Sequence, residues 1–184
     1  MKNTSFKQIF RIVLLCALTL SVLLFAGCQK KPASTGDPAP STSGGDGDFE
    51  FFLSCTEAKA GEEVTVSLSI KNNPSVAGYS VTVCYDPQVL TFVDCKNKVS
   101  GGFAVSNSTE KGKVRVMCTV MGGNVLSHEG VSDELTFTVK SDAPAGTSEL
   151  GLILADAADS VYKTENGAMP PVACTLRGGA VTVK

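Results

Sequence analysis

The sequence predicts an all-β protein: one β-sandwich of about nine strands behind an apolar leader and a polar spacer. Three observations carry this. Beyond the leader, apolar residues recur at every second position, the period of a half-buried strand. Clusters of Gly, Pro, Asn and Asp interrupt these runs at short intervals, as turns do. No run past the leader keeps a helical period.

From the N-terminus, Met1 to Phe10 carries Lys2 and Lys7 and no acid, and Arg11 extends the basic start. Ile12 to Phe25 is apolar almost throughout. About 14 residues of helix reach only about 21 Å, short for a membrane span and right for a signal-peptide core. Leu23-Leu24-Phe25-Ala26-Gly27-Cys28 follows: small residues that fit a protease cleft, then a thiol that can be acylated. This segment resembles the lipobox of bacterial lipoproteins. The resemblance implies a signal peptide over residues 1–27, lipidation at Cys28, and a protein anchored in the cell membrane and facing the exterior. One acyl chain anchors only marginally, so stable attachment takes at least two. Residues 28–48 form the lipidated cysteine and a linker of Pro, Ser, Thr, Gly and Asp. Such a composition buries too little surface to offset ordering entropy, so the linker is expected to be disordered, with a reach of about 25 Å. The Asp46-Gly47-Asp48 triplet in it reads as solvated.

Phe49 to Lys184 then forms one domain of about 136 residues, enough for its own core. Its strands are expected at Glu50–Cys55, Glu63–Ile70, Tyr79–Tyr85, Leu90–Asp94, Phe103–Ser106, Val114–Val120, Leu135–Val139, Ser148–Leu154 and Ala173–Val183, the last broken at Gly178-Gly179. Turn signals separate them at Ala60-Gly61, Asn72-Asn73-Pro74, Asp86-Pro87, Gly101-Gly102, Lys111-Gly112, Gly122-Gly123 and Ala143-Pro144-Ala145-Gly146. In the Tyr79–Tyr85 strand, Tyr79, Val81, Val83 and Tyr85 share the inward parity, and Ser80, Thr82 and Cys84 the outward one. In the Val114–Val120 strand, Val114, Val116, Cys118 and Val120 point inward. Arg115, Met117 and Thr119, with Met121 just beyond, point outward.

Composition bounds the function. The net charge is −2 and no basic stripe occurs, which argues against nucleic acid. Tryptophan is absent, so no tryptophan platform exists for flat polysaccharide. Of seven cysteines, Cys16 leaves with the leader and Cys28 takes lipid. Cys55, Cys84, Cys95, Cys118 and Cys174 remain, an odd set without metal-ligand spacing, so at least one thiol stays free. Cys84 and Cys118 fall on opposite faces and are not expected to pair. His128 is the single histidine and reads as a turn residue. Asp142, Asp156, Asp159 and Glu165 lie in turns, with nothing to position a pair for glycoside hydrolysis. The protein reads as non-catalytic, with no cofactor or metal of its own.

The order of these pieces is similar to a family. The stretch AGEEVTVSLSIKNNPSVAGYSVTVCYDPQVLTFVDC resembles the start of a cohesin module: an alternating strand after a Gly, a loop ending at Gly78, and a second strand closing on Tyr85-Asp86-Pro87. GVSDELTFTVKSDAPAGTSEL and LRGGAVTVK resemble its later strand with a Pro-Gly turn and its closing strand. The resemblance implies a nine-stranded jelly roll, a dockerin-bearing or other extracellular protein as partner, and calcium carried by the dockerin. It also implies that the outward residues Ser80, Thr82, Cys84, Arg115, Met117, Thr119 and Met121 form the recognition face, in the service of polysaccharide degradation. Loops at 122–130 and 157–169 are the other place for recognition. The alternative is a carbohydrate-binding surface lipoprotein on the same fold. The sequence departs from familiar cohesins where they tend to place Asn and an acid, at Gly78 and Ser80, and another acid at Met121.

Overall fold

Among the described residues, period-two patterning folds as twelve strands in two stacked sheets. The structure is a computed structural model and describes residues 48–108, 110–122, 124–154 and 160–184. The leader, Cys28 and the linker up to residue 47 lie outside the described residues. The strands are β1 (Glu50–Leu53), β2 (Cys55–Ala58), β3 (Glu63–Lys71), β4 (Gly78–Cys84), β5 (Leu90–Asn97), β6 (Phe103–Asn107), β7 (Lys113–Thr119), β8 (Gly130–Val139), β9 (Gly146–Ile153), β10 (Val161–Tyr162), β11 (Thr175–Arg177) and β12 (Gly179–Val183). One sheet runs β11-β1-β3-β8-β5. The other runs β2-β12-β9-β4-β7-β6, with β10 also pairing β4.

Nine expected runs become twelve strands for local reasons. The first run breaks at Ser54, where the chain passes from one sheet to the other. β1 pairs β3 and β11, whereas β2 pairs β12. The Ser54 amide donates to the Ser67 carbonyl at 2.9 Å, and its hydroxyl accepts from the Ser67 amide at 3.0 Å. The last run makes the same crossing at Gly178-Gly179, beside the first. A Cβ on Gly179 would overlap the Ser54 carbonyl oxygen, and one on Gly178 would overlap that of Leu150. The two glycines are therefore required by backbone approach. The third added strand, β10, is too short to show a period.

The inward parities of both sheets meet in the core. Val64, Val66, Leu68 and Ile70 of β3, Val81 and Val83 of β4, Val114 and Val116 of β7, and Leu135, Phe137 and Val139 of β8 are all buried. Each such side chain contributes about 1.5–3 kcal/mol by leaving water. Tyr85, expected to close its strand, lies one residue past β4 and is half-buried, with its ring edge-on to Phe137 at 5.1 Å. Val120, expected in the core, is only partly buried and packs against it.

Among the described residues one acidic group interrupts this core. Asp133 is 1% exposed and shares the inward parity of Leu135 and Phe137. A bulge next to it, where Leu68 pairs Asp133 and Ser69 pairs Val131, leaves Ser132 unpaired in the ladder. The Tyr79 hydroxyl donates to Asp133 Oδ2 at 2.7 Å. Asn97 Nδ2 donates to Asp133 Oδ1 at 2.8 Å. The Tyr79–Asp133 bond joins β4 of one sheet to β8 of the other. Burial, then the neighbouring carboxylate, pushes the Tyr79 hydroxyl far above its ordinary range, so it remains a donor.

Candidate functional site

The two sheets present unlike outer faces. On β3 and β8 the outward residues are mostly polar: Glu63 opposes Thr138, Thr65 opposes Thr136, and Ser67 opposes Glu134, while Val131, opposite Ser69, is the apolar exception. On β4, β7 and β6 the outward positions line up in rows across the strands. Gly78 lies opposite Thr119, and Thr119 opposite Phe103. Ser80 lies opposite Met117, and Met117 opposite Val105. Thr82 lies opposite Arg115, and Arg115 opposite Asn107. Phe103 is 65% exposed and Val105 39%. Large apolar groups left in water side by side, as Phe103 and Val105 are, mark a surface that can take a partner.

The seven residues anticipated for this face are not equivalent. Ser80 and Thr82 have the outward parity but are 5% and 4% exposed. They are short side chains on a central strand, walled by Met117 and Arg115 on one side. Ser160, whose carbonyl accepts from the Ser80 amide, and Ile153, which pairs Thr82, wall the other. They form a floor and offer little contact area. Cys84 is partly buried beside Gly151. Arg115 and Met117 are half-buried, and Met121 stands 78% exposed. Thr119 is engaged within the molecule: the Tyr162 hydroxyl donates to its Oγ1 at 2.9 Å.

Phe103, Val105 and Tyr162 were missing from the set read from sequence. The first two alternate with Ala104 and Ser106 directly after Gly101-Gly102, so parity alone could have placed them on this face. Tyr162 had no such signal. It arrives on β10, which pairs β4 with Tyr162 opposite Gly78. A tight hairpin through Asn166 and Gly167, both at positive φ, follows it. The Tyr162 ring lies over Gly78. A Cβ there would sit 2.5 Å from the tyrosine oxygen and 2.8 Å from the Cys118 carbonyl. The glycine that departs from the family pattern is thus the seat of a tyrosine. Ser80, Phe103, Val105, Met117, Thr119 and Tyr162 line a depression of ≈ 280 Å³ on this face.

Nothing on the face is arranged for bond chemistry. Among the described residues no three His, Cys, Asp or Glu side chains gather to hold a metal ion. His128 Nε2 donates to the Val131 carbonyl at 2.7 Å. Glu165 and Asp142 are exposed, and Asp156 and Asp159 lie outside the described residues. The five described cysteines are all thiols. Burial and the charge of Asp133 raise Cys118 to about 11 and Cys95 to about 12. Burial raises Cys174 to about 11. Those three are protonated, weak nucleophiles near neutrality.

The cohesin domain family model matches residues 49–178. The chain belongs to the cohesin family. Cohesin domains are non-catalytic protein-interaction modules. Among solved structures, the seventh ScaB type I cohesin from Pseudobacteroides cellulosolvens aligns at TM-score 0.66 and 21% identity, over 74% of this chain and 92% of that one. The sixth cohesin of scaffoldin B from Acetivibrio cellulolyticus, solved in complex with a mutant dockerin, aligns at 0.63 and 21%, over 74% and 99%. A non-cellulosomal cohesin from the hyperthermophilic archaeon Archaeoglobus fulgidus aligns at 0.61 and 18%, over 74% and 91%. At these identities the likeness is one of fold. No curated protein matches the chain.

Proposed function

We propose that this cohesin is a surface-tethered receptor for a dockerin-type protein partner, held to the cell membrane through lipid on Cys28. The observation that carries the reading is the depression on the β4–β7–β6 face, bordered by exposed Phe103 and Val105. This face sets Phe103 and Val105 around a depression able to take a side chain, with Met121 exposed just beyond β7. A protein partner suits it better than a glycan. Met117 and Met121 are thioethers, which adapt to varied side chains, and Phe103 and Val105 add apolar area. The tether then gives a small receptor its use, because confinement raises the local concentration of what it binds. Any calcium in the complex belongs to the dockerin.

The test is capture from culture supernatant by the immobilised chain, with and without a calcium chelator, compared with Met117→Glu. Met117 borders the depression, so a carboxylate there would be buried unpaired in a docked complex, at a cost of a few kcal/mol. Dockerin-bearing proteins should be retained by wild type, released by chelator and lost with Met117→Glu at an unchanged melting temperature. A variant that folds and still binds normally moves recognition to the loops. The anchor is tested separately: Cys28→Ser should leave unprocessed or shed protein, and the wild-type mature N-terminus should carry the mass of its acyl chains.

A further inference from the structure

A sheet edge exposes backbone N–H and C=O groups, and proteins blunt it with charge, proline, a bulge or brevity. Among the described residues four strands end the two sheet paths, with β10 lying off them. β11 has three residues and carries Arg177. β2 has four and carries Glu57, ion-paired with Lys184. β5 carries Asp94 and Lys96 and has a bulge between Phe92 and Asp94. β6, Phe103-Ala104-Val105-Ser106-Asn107, has no charge, no proline and no bulge.

The ladder shows which of its groups face outward. The Ser80 amide donates to Ser160, away from β7, whereas the Tyr85 amide donates to Gly112, toward the β7 side. Antiparallel strands alternate in this sense, so odd residues of β4 bond β7. They oppose even residues of β7, such as Val81 with Val116. Odd residues of β7 therefore bond β6, and Met117 opposes Val105. Phe103, Val105 and Asn107 spend their backbone groups on β7. Ala104 and Ser106 direct theirs off the edge.

We propose that β6 pairs antiparallel with β6 of a second copy of this chain, about a two-fold axis through Val105. Ala104 of each copy then lies opposite Ser106 of the other, and the two pairs exchange four backbone hydrogen bonds. Val105 meets its own equivalent in the non-hydrogen-bonded position, where side chains come closest. The row Ser80–Met117–Val105 continues into Val105–Met117–Ser80, apolar against apolar, as an isologous contact requires. No charge on the strand repels its copy. The axis is perpendicular to the sheet, so both recognition faces point the same way and stay open.

The test is a cysteine scan on the full chain in detergent, in a Cys55→Ser background, under mild copper–phenanthroline oxidation. Directly opposed residues have Cβ atoms about 4.5–5.5 Å apart, near what a disulfide needs. Position 107, four residues out of register with itself, is about 13 Å from its copy. Val105→Cys should give a covalent band of twice the chain mass about tenfold faster than Asn107→Cys, as that separation dictates. Adding Ala104→Pro removes an N–H that crosses the edge but none that bonds β7, and should abolish the advantage. Equal rates at 105 and 107, or a Val105→Cys product joined only to another protein, would overturn the proposal.

Discussion

The Tyr79 hydroxyl decides more than its single bond to Asp133 indicates. It is one of two side-chain donors to a carboxylate that is almost fully enclosed. Without it, Asp133 loses a partner on Oδ2 in a place water does not reach. A hydrogen bond to a charged group contributes about 1.5–3 kcal/mol, and stranding a buried acceptor costs a similar amount. Tyr79→Phe keeps the ring, which packs edge-on against Phe51 at 5.2 Å, so the hydroxyl alone is removed. The expected result is a lower urea midpoint by the equivalent of about 1–3 kcal/mol, with m unchanged. A midpoint equal to wild type would mean that Asp133 draws nothing from this bond. The residue was legible in part. Tyr79 was placed inward by its parity with Val81 and Val83. Asp133 shares the parity of Leu135 and Phe137, but an acid on an apolar face reads as the end of a strand until its partners on β4 and β5 are known.

Among elements, the paired crossings near Ser54 and Gly178 hold the sandwich's margin together. β1 and β2 change sheets beside β11 and β12, and each crossing has a parallel partner. Gly179 is the tight point, packed against the Ser54 carbonyl and the Leu53 side chain. Gly179→Ala should force backbone to shift rather than a side chain to rotate. Overpacking of this kind costs about 1–3 kcal/mol, and hydrogen exchange should accelerate in β1, β2, β11 and β12 before β3 and β8. Uniform acceleration would show that the crossing is no local unit. These crossings also explain what sequence could and could not give. Long alternating runs such as Glu63–Ile70 stand out because parity repeats four times in one direction. A strand that stops after four residues and resumes in the other sheet leaves no such trace, so Glu50–Cys55 reads as one strand. β10, two residues long, leaves none at all, and with it Tyr162 is lost from the candidate face. Ser80 and Thr82 have the correct parity but are covered, because parity gives direction and neighbours give depth.

At the scale of the whole molecule, three raised thiols tie stability to alkaline pH. Cys95, Cys118 and Cys174 move from an ordinary 9.0 to about 12, about 11 and about 11 in the folded chain, with burial the first cause in each. In the unfolded chain they lose protons near 9; in the folded chain they hold them. Between pH 9 and about 11–12 the unfolded state therefore binds fewer protons than the native state. The slope of unfolding free energy with pH has the sign of protons bound in the unfolded state minus those bound in the native state. That difference is negative here, so the stabilisation is complete below pH 9 and declines as pH rises through the folded values. Lysines and tyrosines titrate in the same region, so the informative quantity is a difference between chains. Wild type should lose melting temperature more steeply from pH 9 to 11 than a Cys95→Ala, Cys118→Ala, Cys174→Ala variant, whatever offset the variant shows at pH 8. Parallel curves would mean that the thiols titrate alike in both states, and that burial at these three positions does not restrain their ionisation. A steeper wild-type curve would also account for inert thiols in a cohesin whose five described cysteines form no disulfide. Thiolate is the reactive form, and the fold itself withholds it until the pH at which the sandwich begins to give way.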